Sequence, residues 1–510
     1  MLSRRLLVSF CLLTTGVAAQ AATPQQPPRF PTDVQKTGCS ADIKTFNNWF
    51  ADNDSDSPNI TPIPSTGRAV NAADSTGFPT NNTKCDFYKW SAQMFLWLTS
   101  PAGQRYVFDT VGFFDVSHKN SNGKRTLISN TQKSVNTFSL RSTKGDEVAG
   151  VDAEITGETG QAGSHGTLIS QSGERVYYGL HVNDVYAYFL SAQKNLKLKK
   201  SDFPTTETQM LEVAAYAALQ GVVLSDLNAG PMELKTSWVD VNSVGDENKF
   251  LTIRAEVPKF KVKSGSNNTE AILDGSEIKT LALVGMHIVG TVKDHPEMVW
   301  ATVEHIDNAP DTSYSYINSE NEVAYVKPEQ TSRSWTFSPK TMATGVGYKD
   351  YNVETVVTKN GNLIANPGHT LDDATVAVQL NPRGSPSSDS SVGAQDPENN
   401  SELISLNNDV MGMLDSDDPR SNYYISGAVW TQNGNLPTYS SGGPSFTQIG
   451  SISLSNMTME TFTQGTSTDP TKTQEGCFSC HSITGTEAAA KQGVNLSHIY
   501  GEIHPLEAKK

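Results

Sequence analysis

The chain has 510 residues, of which 54 are acidic and 39 are lysine or arginine, for a formal net charge of −15. A surface that acidic repels nucleic acid and anionic lipid, and the basic patches that such partners require are absent. The length allows one large domain or two ordinary ones, and no internal run is apolar for long enough to cross a membrane.

At the N-terminus, Arg4 and Arg5 precede an apolar stretch from Leu6 to Val17, followed by Ala19-Gln20-Ala21. A short basic region, an apolar core and a small-x-small site predict a secretory signal peptide over 1–21, cut after Ala21. The apolar stretch is too short for a permanent anchor. Phe10 stands where a lipoprotein signal at Cys11 would need a small residue. The mature chain is therefore expected in the periplasm or secreted. It is more acidic still, since the leader takes away two arginines and no acid.

Residues 22–38 are rich in Pro and Gln and predict an extended lead-in. Ile43, Phe46, Trp49 and Phe50 recur at helical spacing behind Ser40, a candidate N-cap. Asp52-Asn53-Asp54-Ser55-Asp56 imitates the start of a calcium loop, but Ser57 and Ile63 replace its glycine and closing glutamate, so it reads as a polar loop. Phe87, Trp90, Met94 and Leu98 mark a second helix ending before Pro101. From about residue 105 the texture is strand-like, with Val, Ile, Thr and aromatic runs separated by turn residues. Val176 to Leu190 predicts a strand leading into a helix, and Glu207 to Gln220 another helix. The short Lys-rich run from Lys194 to Lys200 reads as a solvated face. Strands follow at Glu233–Val241, Phe250–Val257, Leu281–Val292 and Met298–Ile306. A flexible loop is expected at about 383–402 and a helix at Leu403–Leu414. The fold class is α+β: a β-rich body over 39–445 with peripheral helices, then a small helical segment over 446–510.

That last segment holds Cys477-Phe478-Ser479-Cys480-His481. On a helix, positions i, i+3 and i+4 share one face. Two thiols can then meet the two haem vinyl groups while the histidine reaches the iron from the same side. Thr486 to Gln492, rich in alanine and ending before Gly493, predicts a helix behind the motif. A zinc site would need a second Cys or His pair nearby, and a thioredoxin-type pair would need its own βα setting. One covalent haem c is the cofactor expected, with Cys477 and Cys480 as thioethers and His481 on the iron. Once the leader's Cys11 is gone, the other two cysteines are Cys39 and Cys85, and in an oxidising compartment they predict a disulfide. Only 29 residues follow His481, too few to enclose a haem, so the upstream body must supply much of the pocket.

No methionine follows His481. His498 is the candidate distal ligand, Met459 a weaker one beside Met457, and His504 sits in an expected mobile tail. Two histidines on the iron lower its potential relative to His/Met, and an open site permits chemistry. A possible second site lies in the strand pair around Asp294. An even register sum would put His287 with His305 on one face, and an odd sum His287 with Glu304. Either pair could ligate a metal, hold a propionate or act as acid and base, and a hydrogen-bonded polar pair in a sheet is the simpler alternative. Glu233 and Lys235, beside Trp238, are candidates for a structural ion pair.

Gln161-Ala162-Gly163, Asn183, Lys235 with Trp238, Gly285-Met286-His287-Ile288, Trp300 to His305 with Asn308, and Met459-Glu460-Thr461 form a further set. Together with the haem motif they resemble a bacterial family of large exported cytochrome c-like proteins that end in a single Cys-x-x-Cys-His and have no assigned activity. The likeness covers scattered blocks over 85–500, with Val303 where the family suggests phenylalanine. It implies haem attachment and names no substrate.

Two function classes follow. One is electron transfer, with a six-coordinate haem serving a periplasmic redox partner. The other is a haem enzyme with an open iron site for a small-molecule substrate, P460-like or peroxidase-like by fold analogy alone. A haem-based ligand sensor is the third candidate. The substrate or partner and the oligomeric state have no signature in the sequence.

Overall fold

A computed structural model describes residues 29–50, 69–81, 83–103, 105–130, 138–139, 160–162, 164–199, 202–327, 333–339, 351–385, 396–440, 443–464, 476–483 and 492–507. The signal peptide, the acidic loop at 52–56 and the helix expected from Thr486 fall on residues outside this set, apart from Gln492.

The body is β-rich and α+β, built on one thirteen-stranded sheet. Nine of its strands carry the description: β1 (Phe113–Val116), β2 (Leu127–Ser129), β3 (Tyr177–Asn183), β4 (Met232–Asp240), β5 (Thr252–Val262), β6 (Glu270–Val292), β7 (His295–His305), β8 (Tyr423–Thr431) and β9 (Gln448–Gly450). The main path runs β9-β8-β7-β6-β4-β3-β1-β2, antiparallel throughout, while β5 pairs with the first half of β6. β6 is twice as long as expected. Its stretch from Leu281 is buried on both faces, which explains the near-continuous apolar run Leu-Ala-Leu-Val-Gly-Met. Its polar first half, Glu270 to Thr280, is invisible to an apolar search because it is largely exposed. β6 turns into β7 through Lys293 and Asp294, the latter in the left-handed region that a tight hairpin favours.

One face of the sheet is covered by helices α2 (Lys84–Leu98) and α5 (Pro397–Met413), which pack Phe87, Trp90, Met94, Leu403 and Leu406 against Leu234, Trp238, Met286, Ile288 and Val303. α2 begins with a Thr83–Asp86 capping box. α5 starts six residues earlier than expected, because Asp396 accepts from the Asn399 amide and Pro397 fits the first turn. The disulfide between Cys39 and Cys85 ties the N-terminal segment to α2. The short helix α1 (Ile43–Asn47) is capped by Asp42 rather than Ser40, whose hydroxyl instead donates to Asp409 at 2.5 Å.

The opposite face is covered at one end by α3 (Asp184–Lys194), α4 (Glu207–Leu219) and the C-terminal residues Phe478, Leu496, Ile499 and Tyr500. At the other end the segment 451–464 lies over it. Residues 448–464 are thus part of the body: β9 belongs to the sheet, and Thr458 packs on Ser237 at 2.6 Å. Lys194 does not lie on a solvated face. Its ammonium donates to the carbonyls of Tyr500 at 2.6 Å and Ile503 at 2.5 Å. The tail expected to be mobile is pinned here and by the His504 amide, which donates to the Arg125 carbonyl at 2.8 Å. Among the described residues, no helix is long and apolar enough to cross a membrane.

Candidate functional site

The register of β4, β6 and β7 sets three rows of side chains on the second face. Lys235, His287 and Thr302 lie abreast. Two residues along each strand, and so on the same face, come Glu233, Val289 and Trp300; two residues the other way come Ser237, Gly285 and Glu304. Trp300 is where the C-terminal segment meets the sheet.

That segment enters at Gly476, whose φ of +129° and closeness to the Ile452 carbonyl (2.3 Å from an added Cβ) exclude a side chain. One helical turn follows, α6 (Cys477–Cys480). Phe478 is fully buried against Trp300 and Phe446, at ring separations of 6.2 and 5.8 Å. With Phe478 as the anchor, Cys477 is half-buried and Cys480 exposed, and neither forms a disulfide. Burial pushes the Cys477 thiol up, with the charge of Glu460 adding to it, so this sulfur is held as a thiol.

The His481 ring contacts Trp300 at 4.1 Å and His498 at 4.0 Å, the latter nearly parallel at 19°. Its Nδ1 lies 2.8 Å from the Leu496 carbonyl oxygen. A carbonyl only accepts, so Nδ1 carries the hydrogen and Nε2 holds the free lone pair. Burial, then the neighbouring His498, pull the ring's pKa down to about 3, which keeps it neutral. Metal-bound histidines are oriented in this way, by a hydrogen bond from the other ring nitrogen. Two thiols one turn apart and a neutral, oriented imidazole fit a haem held by two thioethers and one iron ligand. They do not fit a closed zinc site. Among the described residues, the three-ligand group found within 4.8 Å is Cys39, Cys85 and Glu402, whose sulfurs are joined to each other.

His287, one row from Trp300 on the same face, has a defined partner. Its Nε2 lies 2.9 Å from Oε1 of Glu460, and Oε2 of Glu460 accepts from the Asn456 amide at 2.8 Å. Burial alone would raise the Glu460 carboxyl, but His287 and Lys235 outweigh it and hold the pKa below the ordinary value. Lys235 sits with its ammonium 5.2 Å over the Tyr178 ring. Glu460 is within electrostatic reach of both Cys477 and His481.

Several expectations are corrected. The register is odd, pairing His287 with Thr302, so His287 shares its face with Glu304 and not with His305. His305 points to the other face and stacks on Phe250 at 3.6 Å. Its Nε2 donates to the Lys249 carbonyl and its Nδ1 accepts from the Asp307 amide, both at 3.1 Å, which leaves no lone pair for a metal. Glu304 is engaged elsewhere, accepting from Ser426 at 2.9 Å, and burial raises its pKa to about 7. Glu233 and Lys235 do not pair. Glu233 accepts from the Ser497 hydroxyl at 2.5 Å, and burial raises it to about 7.

Of the candidate distal ligands, His498 is close but lies flat against His481, with its Nε2 3.2 Å from the Cys480 carbonyl. Met459 is fully buried with Met457, Val284 and Phe337 in a separate core cluster. The Leu496 carbonyl and Trp300 are neighbours of His481 that residue types alone do not reveal. Glu460 stands in one of the blocks that carried the resemblance, yet its partner His287 is 173 residues away. Compared with known proteins, the chain matches no family model, and no curated protein or solved structure shows significant similarity to it.

Proposed function

We propose that this chain is exported by its leader, carries one haem c on Cys477, Cys480 and His481, and passes single electrons to a partner outside the cytoplasm. The observation that carries the reading is the His481 ring, neutral and fixed through Nδ1 on the Leu496 carbonyl, at the end of a turn presenting two unbridged thiols. A bound haem supplies reversible one-electron chemistry at its iron. The chain's residues do the rest: Phe478 and Trp300 seat the turn, and the Leu496 carbonyl orients the ligand. The same features support membership of the exported cytochrome c-like family that the sequence resembles.

A haem enzyme with an open iron is the second reading, favoured by the polar group of Lys235, His287 and Glu460 beside the motif. One experiment tests both. Protein from a periplasm competent in haem maturation is examined by pyridine haemochrome and by its reduced spectrum with and without carbon monoxide. A c-type haemochrome with no carbon monoxide response is expected for electron transfer. A clear response transfers support to the enzyme, and absence of haem refutes both.

A further inference from the structure

Both obvious candidates for the second iron ligand sit poorly for it. Axial ligands must aim their lone pairs at each other along one line through the metal. His481 and His498 are stacked face to face at 4.0 Å, which sets their nitrogens side by side. Met459 has its side chain in the core, fully buried. The tail histidine, His504, hangs beyond the backbone bond to Arg125 and is exposed.

His287 differs on each point. It stands on the central strand β6, on the face that carries Trp300, in the adjacent row of side chains. Trp300 touches the His481 ring, so the two histidines belong to one neighbourhood, and His287 lies within electrostatic reach of His481. The segment 451–464 covers the rows beyond His287 on one side, and the C-terminal segment covers the row of Trp300 on the other. Between them His287 and Glu460 keep 19% and 23% of their side-chain exposure, beside the partly exposed Lys235. One ring nitrogen of His287 is held by the Glu460 carboxylate, and Glu460 is itself fixed by the Asn456 amide. Among the described residues the other nitrogen, Nδ1, makes no hydrogen bond. A carboxylate-bound imidazole with its second nitrogen free is the arrangement by which proteins orient and strengthen a histidine for a metal.

Resting on the covalent-haem reading, we propose that His287, oriented by Glu460, is the second protein ligand of the iron held by His481. The body would then complete a bis-histidine centre with a residue nearly two hundred positions upstream of the motif. This gives the large sheet a direct part in the redox site. Glu460 is a positioning residue: through its hydrogen bond it makes the imidazole more electron-rich and favours the oxidised iron.

The test uses full-length holoprotein matured in the periplasm, with haem content fixed by pyridine haemochrome for each variant. In the unaltered protein a low-spin ferric spectrum without carbon monoxide binding is expected. His287→Ala is expected to turn the iron high-spin and carbon monoxide-reactive, added imidazole to restore the low-spin spectrum, and His498→Ala to leave it unchanged. Glu460→Gln is expected to keep the low-spin spectrum and raise the reduction potential. If His287→Ala does not accumulate, the Glu460→Gln potential decides, and an unchanged value overturns the proposal. It is equally overturned by a low-spin His287→Ala, by loss of the low-spin spectrum in His498→Ala alone, or by a high-spin unaltered protein. A preparation with no covalent haem refutes the reading beneath it instead.

Discussion

Glu304 offers the most quantitative test of the sheet's interior. Its carboxyl is 1% exposed, and burial lifts its pKa from the ordinary 4.5 to about 7. A folded-state pKa raised above the unfolded one stabilises the fold below the unfolded value, and this contribution is lost as pH rises through the folded value. The window is therefore pH 4.5 to 7, and at about 1.4 kcal/mol per pKa unit the full loss is roughly 3 kcal/mol. Glu304→Gln cannot titrate. It alters the bonds with Ser426 and Gln379, but that cost is the same at every pH and cancels in a difference. Urea unfolding of both proteins at pH 5 and pH 8 should show the variant gaining about 2–3 kcal/mol relative to the wild type between the two conditions. Parallel pH profiles would refute the assignment of a raised pKa to the buried carboxyl at this position.

Three further outcomes are expected. Replacing Cys39 and Cys85 together by serine opens a link across 46 residues, and should lower stability by about 4 kcal/mol with haem content per folded protein unchanged, read by urea unfolding and haemochrome. Gly476→Ala places a Cβ against the Ile452 carbonyl at a backbone angle that glycine alone tolerates, and should cost about 1–3 kcal/mol and reduce haem incorporation. The control Gly412→Ala, with nothing within 4 Å, should do neither. Lys194→Met removes two charge-assisted bonds to the Tyr500 and Ile503 carbonyls. Loss of about 2 kcal/mol of local stability should speed hydrogen exchange at residues 503–506 by roughly thirtyfold, while exchange in β6 stays unchanged.

Local features were legible where one rule acts alone. The parity of the remaining cysteines and the apolar run of β6 each carry their meaning within a few residues. So does the choice of an α+β body rich in strands. The tertiary structure decided whatever depends on two distant stretches meeting. The parity of the β6–β7 register, fixed by the hairpin at Asp294, separated His287 from His305 and gave His305 to Phe250. Packing turned Lys194, one of a run of lysines that reads as solvent-facing, inward to the tail carbonyls. The partner of His287 came from a loop 173 residues along, and the orienting group of His481 was a backbone carbonyl, which every residue possesses. Covalent chemistry and helical or strand period are written residue by residue. Which faces meet is set by burial summed over the whole sheet, and that sum exists only once the chain has folded.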